Sequence, residues 1–463
     1  MSFDVVVIGA GIAGLTTAYQ LTRDGAYVGV LEASSRAGGV IFSEQFDGFT
    51  IDAGPDSLLV QKPEAIALCR ELGLGDRLVS TKPPRLAYIQ RKGRLHALPA
   101  ASILGIPTRV GSFFSTRLFS WPGKLRMGAE LFVPARRDES DESIGAFMRR
   151  RFGAEATEFL AEPLLAGIHA GDVDRLSLKS VFPRFRDAER THGSVLRAFA
   201  AQMRTAPAAE SAFRSLPGGL TELTCALARA LGPDRLRINT RAVAIEGRGP
   251  FVVRTADGGS FEARTIALTV PAFAVAAILR ERDEELARLC DEVRYVSVAT
   301  VALAFDREAV GHPLNGSGFV VPRSENTGIL AASWLSSKWP DRAPEGKVLM
   351  RTFLGGARDP DALKRGDAEL VATSLGALRP LLTITGAPIF TRVYRWERAN
   401  AQHEVGHMDR LRAIEHALAR HPGLFVTGSG FRGVGIPDCV ADARRTAQAI
   451  RQFLNNQRPA TAN

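Results

Sequence analysis

A mixed α/β fold is predicted by three observations. Residues 5–15 read Val-Val-Val-Ile-Gly-Ala-Gly-Ile-Ala-Gly-Leu, an apolar strand entering an apolar helix through a glycine-rich turn. From about residue 216 the polarity alternates, so that 235–245, 251–255 and 261–270 read as strands, with Asp257-Gly258-Gly259 as a hairpin turn. Between these regions, 100–205 is largely helical in pattern with little strand signal. A chain of 463 residues exceeds one unit of ~150, so two or three intertwined lobes with ample core are expected.

The first turn carries the sharpest chemical signal. In Gly9-x-Gly11-x-x-Gly14, Gly9 makes the tight turn, Gly11 lets backbone approach a pyrophosphate, and Gly14 lets helix pack on strand. Ala10, Ile12 and Ala13 belong to the same turn, where free N–H groups and the helix dipole favour negative charge. Glu32, with Ala33 beside it, closes a second strand at 27–31, at the distance suited to accepting from ribose hydroxyls. Strand, turn, helix, second strand and acid together specify a dinucleotide site.

The following segment, Ala33-Ser34-Ser35-Arg36-Ala37-Gly38-Gly39-Val40, resembles the continuation found in flavin amine oxidases, carotenoid desaturases and their relatives. That resemblance implies FAD, with Arg36, Gly39 and Val40 running along the pyrophosphate toward the ring. Gly54-Pro55-Asp56-Ser57 follows a short strand at 49–51 and reads as a tight turn, either against the flavin or on a surface hairpin. Near the other end, 424–430 is an apolar strand closing in small residues, followed by Phe431-Arg432-Gly433-Val434-Gly435-Ile436-Pro437-Asp438-Cys439 and a helix. In the superfamily this second turn completes the FAD site, which assigns Ser429, Val434, Gly435 and Ile436 to it. The backbone at Val243 is implied to touch the adenine.

A narrower resemblance covers nearly the whole chain. Gly54-Pro55-Asp56-Ser57-Leu58-Leu59, Arg85-Leu86-Ala87-Tyr88 with Gly93-Arg94-Leu95-His96-Ala97-Leu98-Pro99, Ala166-Gly167-Ile168-His169-Ala170-Gly171-Asp172, Leu216-Pro217-Gly218-Gly219-Leu220 and 433–439 occur in the order seen in oxygen-dependent protoporphyrinogen oxidases and their coproporphyrinogen-oxidising relatives. The resemblance implies a Rossmann-like, discontinuous FAD-binding domain from 1–82, 215–270 and 418–463. It implies a mixed-sheet substrate domain from 83–98 and 271–417, and a helical, membrane-associating lobe at 99–214. Arg85 is implied to face a propionate, and Gly167, His169, Val320 and Phe353 to line the tetrapyrrole cavity. The implied reaction is a six-electron dehydrogenation of a porphyrinogen to a porphyrin in haem synthesis, with molecular oxygen as acceptor and hydrogen peroxide as product. Protoporphyrinogen IX is the expected substrate and coproporphyrinogen III the alternative. The sequence offers no obvious catalytic acid or base, and the flavin itself carries the redox step.

Two positions depart from the family pattern: His169 and His403 stand where relatives commonly carry an aromatic. For His403 a packed or surface-bonded ring is the expected role. Four scattered cysteines give neither a disulfide framework nor zinc spacing, and no metal is expected. The formal charge of +10 comes from dispersed basic residues without interleaved aromatics, which argues against nucleic acid and for anionic partners. Ser112-Phe113-Phe114-Ser115-Thr116-Arg117-Leu118-Phe119-Ser120-Trp121, beside Arg109, Lys124 and Arg126, suits either a membrane interface or a buried lid. The resemblance favours an anionic membrane surface as partner. With no apolar run of ~18 residues and Met1 almost abutting the first strand, a cytoplasmic protein, peripheral on the inner face of the membrane, is expected. A homodimer is an assembly the residues leave open. A flavin amine oxidase is disfavoured because the C-terminal turn has no Trp or Tyr, and a carotenoid desaturase because the Arg85 strand pair fits it badly. A non-catalytic binding protein on the same scaffold would not need every phosphate-facing glycine, and this chain keeps them.

Overall fold

In the computed structural model, residues 2–98, 102–103, 106–107, 116–205 and 211–457 are described. Two seven-stranded sheets organise them. In the first, Ser2–Ile8 lies between Val28–Leu31 and Ser260–Leu268, parallel to both. Val5, Val6 and Val7 are wholly buried, as a central parallel strand covered on both faces requires. Ser260–Leu268 serves two neighbours along one edge: its start pairs antiparallel with Phe251–Thr255 and its end parallel with Leu424–Val426. Pieces far apart in the chain thus form one sheet.

Helices Ile12–Arg23 and Ile436–Asn456 pack together over one face of this sheet, burying Leu15, Val440, Ala443 and Ala447. Gly14 makes that seating feasible, since a Cβ there would lie 1.9 Å from Gly9 O. The other face is covered by Ala272–Leu279, Glu284–Asp291 and His407–Leu418.

The second sheet runs Phe390–Gln402, Arg294–Asp306, Lys347–Gly355, Ala331–Ser333, Gly318–Val320, Tyr88–Arg91, Arg94–Ala97. Its last hairpin turns through Lys92 (φ 51°) and Gly93 (φ 68°), the doubly left-handed turn that matches strand twist. The two longest strands slip register between Val296 and Val298, where Arg398 takes φ 43° and its N–H donates to Ser297 Oγ. A helical segment running from Trp121–Gly128 to Val195–Thr205 closes over Phe147, Phe152, Leu160 and Phe185. Inside it the fully buried Arg151 is paired with the equally buried Glu130.

One expectation needs correction. The strand expected at 235–245 is two strands, Leu236–Arg237 and Ala242–Glu246. Between them Asn239 is left-handed (φ 53°), and the N–H groups of Asn239 and Thr240 donate to Ser34 O and Glu32 O, so the chain closes over Glu32 instead of continuing the ladder. The helical stretch also contains two two-residue strands, Ser102–Ile103 and Ile106–Pro107. Of the proposed interfacial segment, Arg109 and 112–115 lie outside the described residues, while Leu118 and Phe119 are buried in the helical core. Its last residue, Trp121, is exposed, as are Leu125 and Phe132 beyond it.

Candidate functional site

The glycine-rich turn shows a cradle of backbone. A Cβ at Gly9 or Gly14 would collide with Thr269 and Val270 or with Gly9 O, but one at Gly11 would meet nothing within 4 Å. That open space lies at the N-cap of Ile12–Arg23, where no side chain caps the helix and the first turn holds no acid. Unsatisfied N–H groups and a positive dipole end therefore face the space over Gly11, and a pyrophosphate fits them. Gly38 and Gly39 run beside it, with Gly11 and Gly38 forming a parallel bridge and Gly38 N donating to Ala10 O.

Glu32 sits at the end of its strand and accepts from Ala10 N at 2.7 Å and from Ser34 N at 2.8 Å. The carboxylate is thereby aimed across the mouth of the loop, next to Ala33. Arg36 folds back to donate to Gly39 O at 2.7 Å and stacks over Phe42 at 4.5 Å. Its guanidinium fastens the loop that continues to Val40, a valine left 43 % exposed. Val243 is exposed to the same degree.

The turn at Gly54, Pro55, Asp56 and Ser57 is held from the second sheet. Lys338 Nζ donates to both Asp56 oxygens at 2.9 and 3.1 Å and to Ser57 Oγ at 2.8 Å. Arg351 donates to the carbonyls of Asp52 and Gly54. Burial pushes the Asp56 carboxyl up, but Lys338 and Arg351 outweigh it and hold the group well below the usual carboxylate range. Asp56 is thus a permanently ionised anchor of the turn, an arrangement invisible in the local sequence because its cations lie some 280 positions away.

The C-terminal turn lies against the same helix start. Gly428 faces Ala13 and the Thr269 backbone, and Thr269 Oγ1 donates to Ile8 O and Gly9 O at 2.9 Å each. Helix Ile436–Asn456 begins at Gly435 with no side-chain cap, so its N–H groups beside Val434 and Ile436 are a second uncapped terminus. Thr269 was not singled out in the sequence, although it closes a strand that was.

The substrate-side residues converge in part. Val320 pairs with Ala331, and Ala331 pairs with Phe353, which puts Val320 and Phe353 in one row across three strands. Gly167, in helix Glu162–His169, lies directly on that row: a Cβ there would be 3.1 Å from Val320 Cγ1 and 3.7 Å from Ala331 Cβ. His169 ends the same helix, edge-on to Phe182 at 6.2 Å, with its carbonyl accepting from Gln402. Burial, then the nearby Lys62 ammonium, lowers this imidazole to about 4, so it is neutral near pH 7. Lys62 is itself clamped on Asp438 at 2.6 and 2.7 Å, a pair that the sequence reading missed because its members are 376 positions apart. Arg85 is not a member of that row. It is exposed and donates to Thr81 O at 3.2 Å, just after the turn at Pro83 and Pro84. Among the described residues no cluster of His, Cys, Asp and Glu could hold a metal, and the four cysteines are free.

The architecture has known counterparts. The model of the flavin containing amine oxidoreductases matches residues 12–451. The chain is 36 % identical to coproporphyrinogen III oxidase of Bacillus subtilis, over 97 % of this chain and 98 % of that protein. It is 30 % identical to the chloroplastic protoporphyrinogen oxidase of Nicotiana tabacum, over 98 % and 86 % of the two chains. A crystal structure from Exiguobacterium sp. 255-15, provisionally named a protoporphyrinogen oxidase, superposes with a TM-score of 0.86 at 32 % identity, covering 98 % of this chain and 99 % of that one. The open backbone over Gly11, the two uncapped helix starts and the acid at Glu32 fit FAD, the cofactor of this fold. The chain belongs to the flavin containing amine oxidoreductase family.

Proposed function

We propose that the protein oxidises a porphyrinogen to the corresponding porphyrin, using FAD and molecular oxygen and releasing hydrogen peroxide. The observation that carries this reading is the row Val320–Ala331–Phe353 with Gly167 seated on it, where a glycine leaves a helix backbone, not a side chain, against the sheet. An apolar wall of sheet met by bare helix backbone suits a broad macrocycle better than the slim side chain of an amine.

The bound flavin supplies the hydride acceptor. The chain's own groups position it: backbone N–H groups at Gly11 and Gly435 hold the anionic part, Glu32 the ribose, and the turn braced by Lys338 and Arg351 the ring end. Gly9, Ala10, Ile12, Ala13, Gly14, Ala33, Arg36, Gly39, Val40, Gly54, Pro55, Ser57, Val243, Ser429, Val434 and Ile436 complete the proposed cofactor contacts. Arg85, Gly167, His169, Val320 and Phe353 are the proposed substrate contacts. No side chain is assigned as catalytic acid or base.

Protoporphyrinogen IX is the substrate first expected from the resemblance, whose motifs the coproporphyrinogen-oxidising relatives share. Coproporphyrinogen III is favoured by a different observation, the higher identity to a relative named for it, 36 % against 30 %. Steady-state oxidation of both by the purified yellow protein, with porphyrin fluorescence and peroxide recorded together, tests the proposal. We expect about three peroxides per porphyrin, since the conversion removes six electrons. Failure to oxidise either porphyrinogen, with turnover of a primary amine instead, would overturn it.

The proposed second partner is an anionic membrane surface. Trp121 and Leu125 stand one helical turn apart and are 65 % and 69 % exposed, and Phe132 is 83 % exposed. Lys124 lies over the Trp121 ring at 4.7 Å. Such an exposed apolar cap suits the boundary between headgroups and acyl chains. No helix among the described residues is long and apolar enough to cross a membrane.

A further inference from the structure

Two histidines that the porphyrinogen reading leaves unused meet at the junction of the helical lobe, the second sheet and the C-terminal turn. His403 and His407 are both buried, and their rings stack 3.8 Å apart at 10°. A carbonyl oxygen only accepts, so the 2.9 Å contact between His403 Nε2 and Ser429 O puts the ring proton on Nε2. The bare Nδ1 then accepts from Ser180 Oγ at 3.0 Å. His407 Nε2 likewise donates to Phe431 O at 2.8 Å, while its Nδ1 is buried with no hydrogen-bond partner. Both acceptors, Ser429 and Phe431, belong to the turn between Leu424–Val426 and Ile436–Asn456.

We infer that His403 and His407 are positioning residues: as two neutral, stacked imidazoles they clamp the 429–431 turn to the end of the second sheet and so retain the cofactor, and a proton on either ring releases the clamp. The inference rests on the assignment of that turn to FAD. A charge on one ring would face its neighbour across a stacking distance, and a proton on His407 Nδ1 would have no acceptor.

The surroundings do little to compensate such a charge. Asp141 is the near carboxylate, and it is engaged by Ser177 Oγ and Gly406 N. Glu404 is paired with Arg175 and Arg294, and Arg432 with Glu415 and Asp442. Arg410, the neutral His169 and the Tyr295 hydroxyl beside Gly430 complete the titratable groups around the pair. Burial first, then the neighbouring His407, brings His403 down to about 3, and burial lowers His407 as well. Both values lie below that of the released ring, about 6.5. The clamp's contribution is therefore complete above that value and is lost progressively as pH falls below it.

The test is FAD release from the holoprotein, followed by flavin fluorescence from pH 8 to pH 5, with the melting temperature recorded alongside. In the parent we expect stoichiometric FAD at pH 8 and release at least about tenfold faster at pH 5. The amide of Gln can donate where Nε2 does but does not titrate, so His403→Gln with His407→Gln should hold FAD at pH 8 and flatten the pH profile. His403→Phe with His407→Phe stacks but cannot donate, and should release FAD at least about tenfold faster at every pH while remaining folded. A parent without FAD at pH 8 would overturn the cofactor assignment and the clamp with it. A parent that carries FAD but releases it independently of pH, or a Gln pair as acid-sensitive as the parent, overturns the clamp alone. If the Phe pair does not fold, the comparison of parent and Gln pair still decides.

Discussion

Arg342 and Asp52 form an ion pair in which neither side chain reaches solvent: Nε donates to Oδ2 at 2.9 Å across 290 positions of chain. Three more guanidinium N–H bonds go to Ser215 Oγ, Leu216 O and Pro217 O, so one side chain ties the loop before Lys347–Gly355 to the 215–217 segment. Removing the cation strands a buried carboxylate, which costs more than the pair itself is worth. Arg342→Met should lower unfolding stability by about 3–5 kcal/mol, the range for breaking a buried pair on one side. A urea denaturation curve that matches the parent would contradict this.

At Gly11 the expectation concerns cofactor and not folding. A Cβ there touches nothing in the protein, so the branches of Gly11→Val project into the space assigned to the pyrophosphate. The variant should express and melt near the parent apoprotein while being colourless or flavin-poor. Full FAD occupancy by absorbance would remove the pyrophosphate from this position.

Among the described residues Arg85 donates to Thr81 O from an exposed position, which leaves its terminal nitrogens able to meet a carboxylate. A propionate contact remote from the reacting bridge carbon holds ground and transition states about equally. Arg85→Ala should then raise KM much more than it lowers kcat, with kcat/KM falling about tenfold to a hundredfold for a charge-assisted bond of roughly 1.5–3 kcal/mol. Unchanged KM in a flavin-loaded variant would confine Arg85 to bracing its own turn.

The apolar cap gives a salt-sensitive expectation. Changing Trp121, Leu125 and Phe132 together to Ser should cut cosedimentation with anionic vesicles, and high salt should weaken binding by the parent. Because these side chains are exposed, the melting temperature should barely move. Unaltered partitioning in both experiments would rule out this surface as the contact.

Gly14 tests the packing of the first helix. Its Cβ would be 1.9 Å from Gly9 O and 2.4 Å from Thr269 Oγ1, neither of them a flexible group able to retreat. Gly14→Ala should therefore destabilise the protein by about 1–3 kcal/mol, in the range of overpacked cores. A thermal melt superimposable on the parent would show that the helix can slide at little cost.

The sequence by itself determined what depends on neighbours in the chain. The strand, turn and helix from Ser2 to Arg23 were legible because buried parallel strands are continuously apolar and because only glycine satisfies a tight turn, a close approach and a helix contact within six residues. The strand Phe251–Thr255 and the terminal helix were legible for similar local reasons. Val320, Phe353 and Gly167 were named through resemblance, but only strand register set them in one row. The tertiary structure alone decided the partners of buried charge: Lys338 and Arg351 on Asp56, Lys62 on Asp438, Arg342 on Asp52. His403, expected as a packed or surface-bonded ring, is a packed one, and only the tertiary structure showed that its bond goes to the turn assigned to FAD. It split one expected strand at Asn239, because backbone N–H groups found better acceptors beside Glu32. Periodicity records how each segment meets a core; it carries no information about which distant group will neutralise a charge once water has gone, and that pairing is set only when the lobes close.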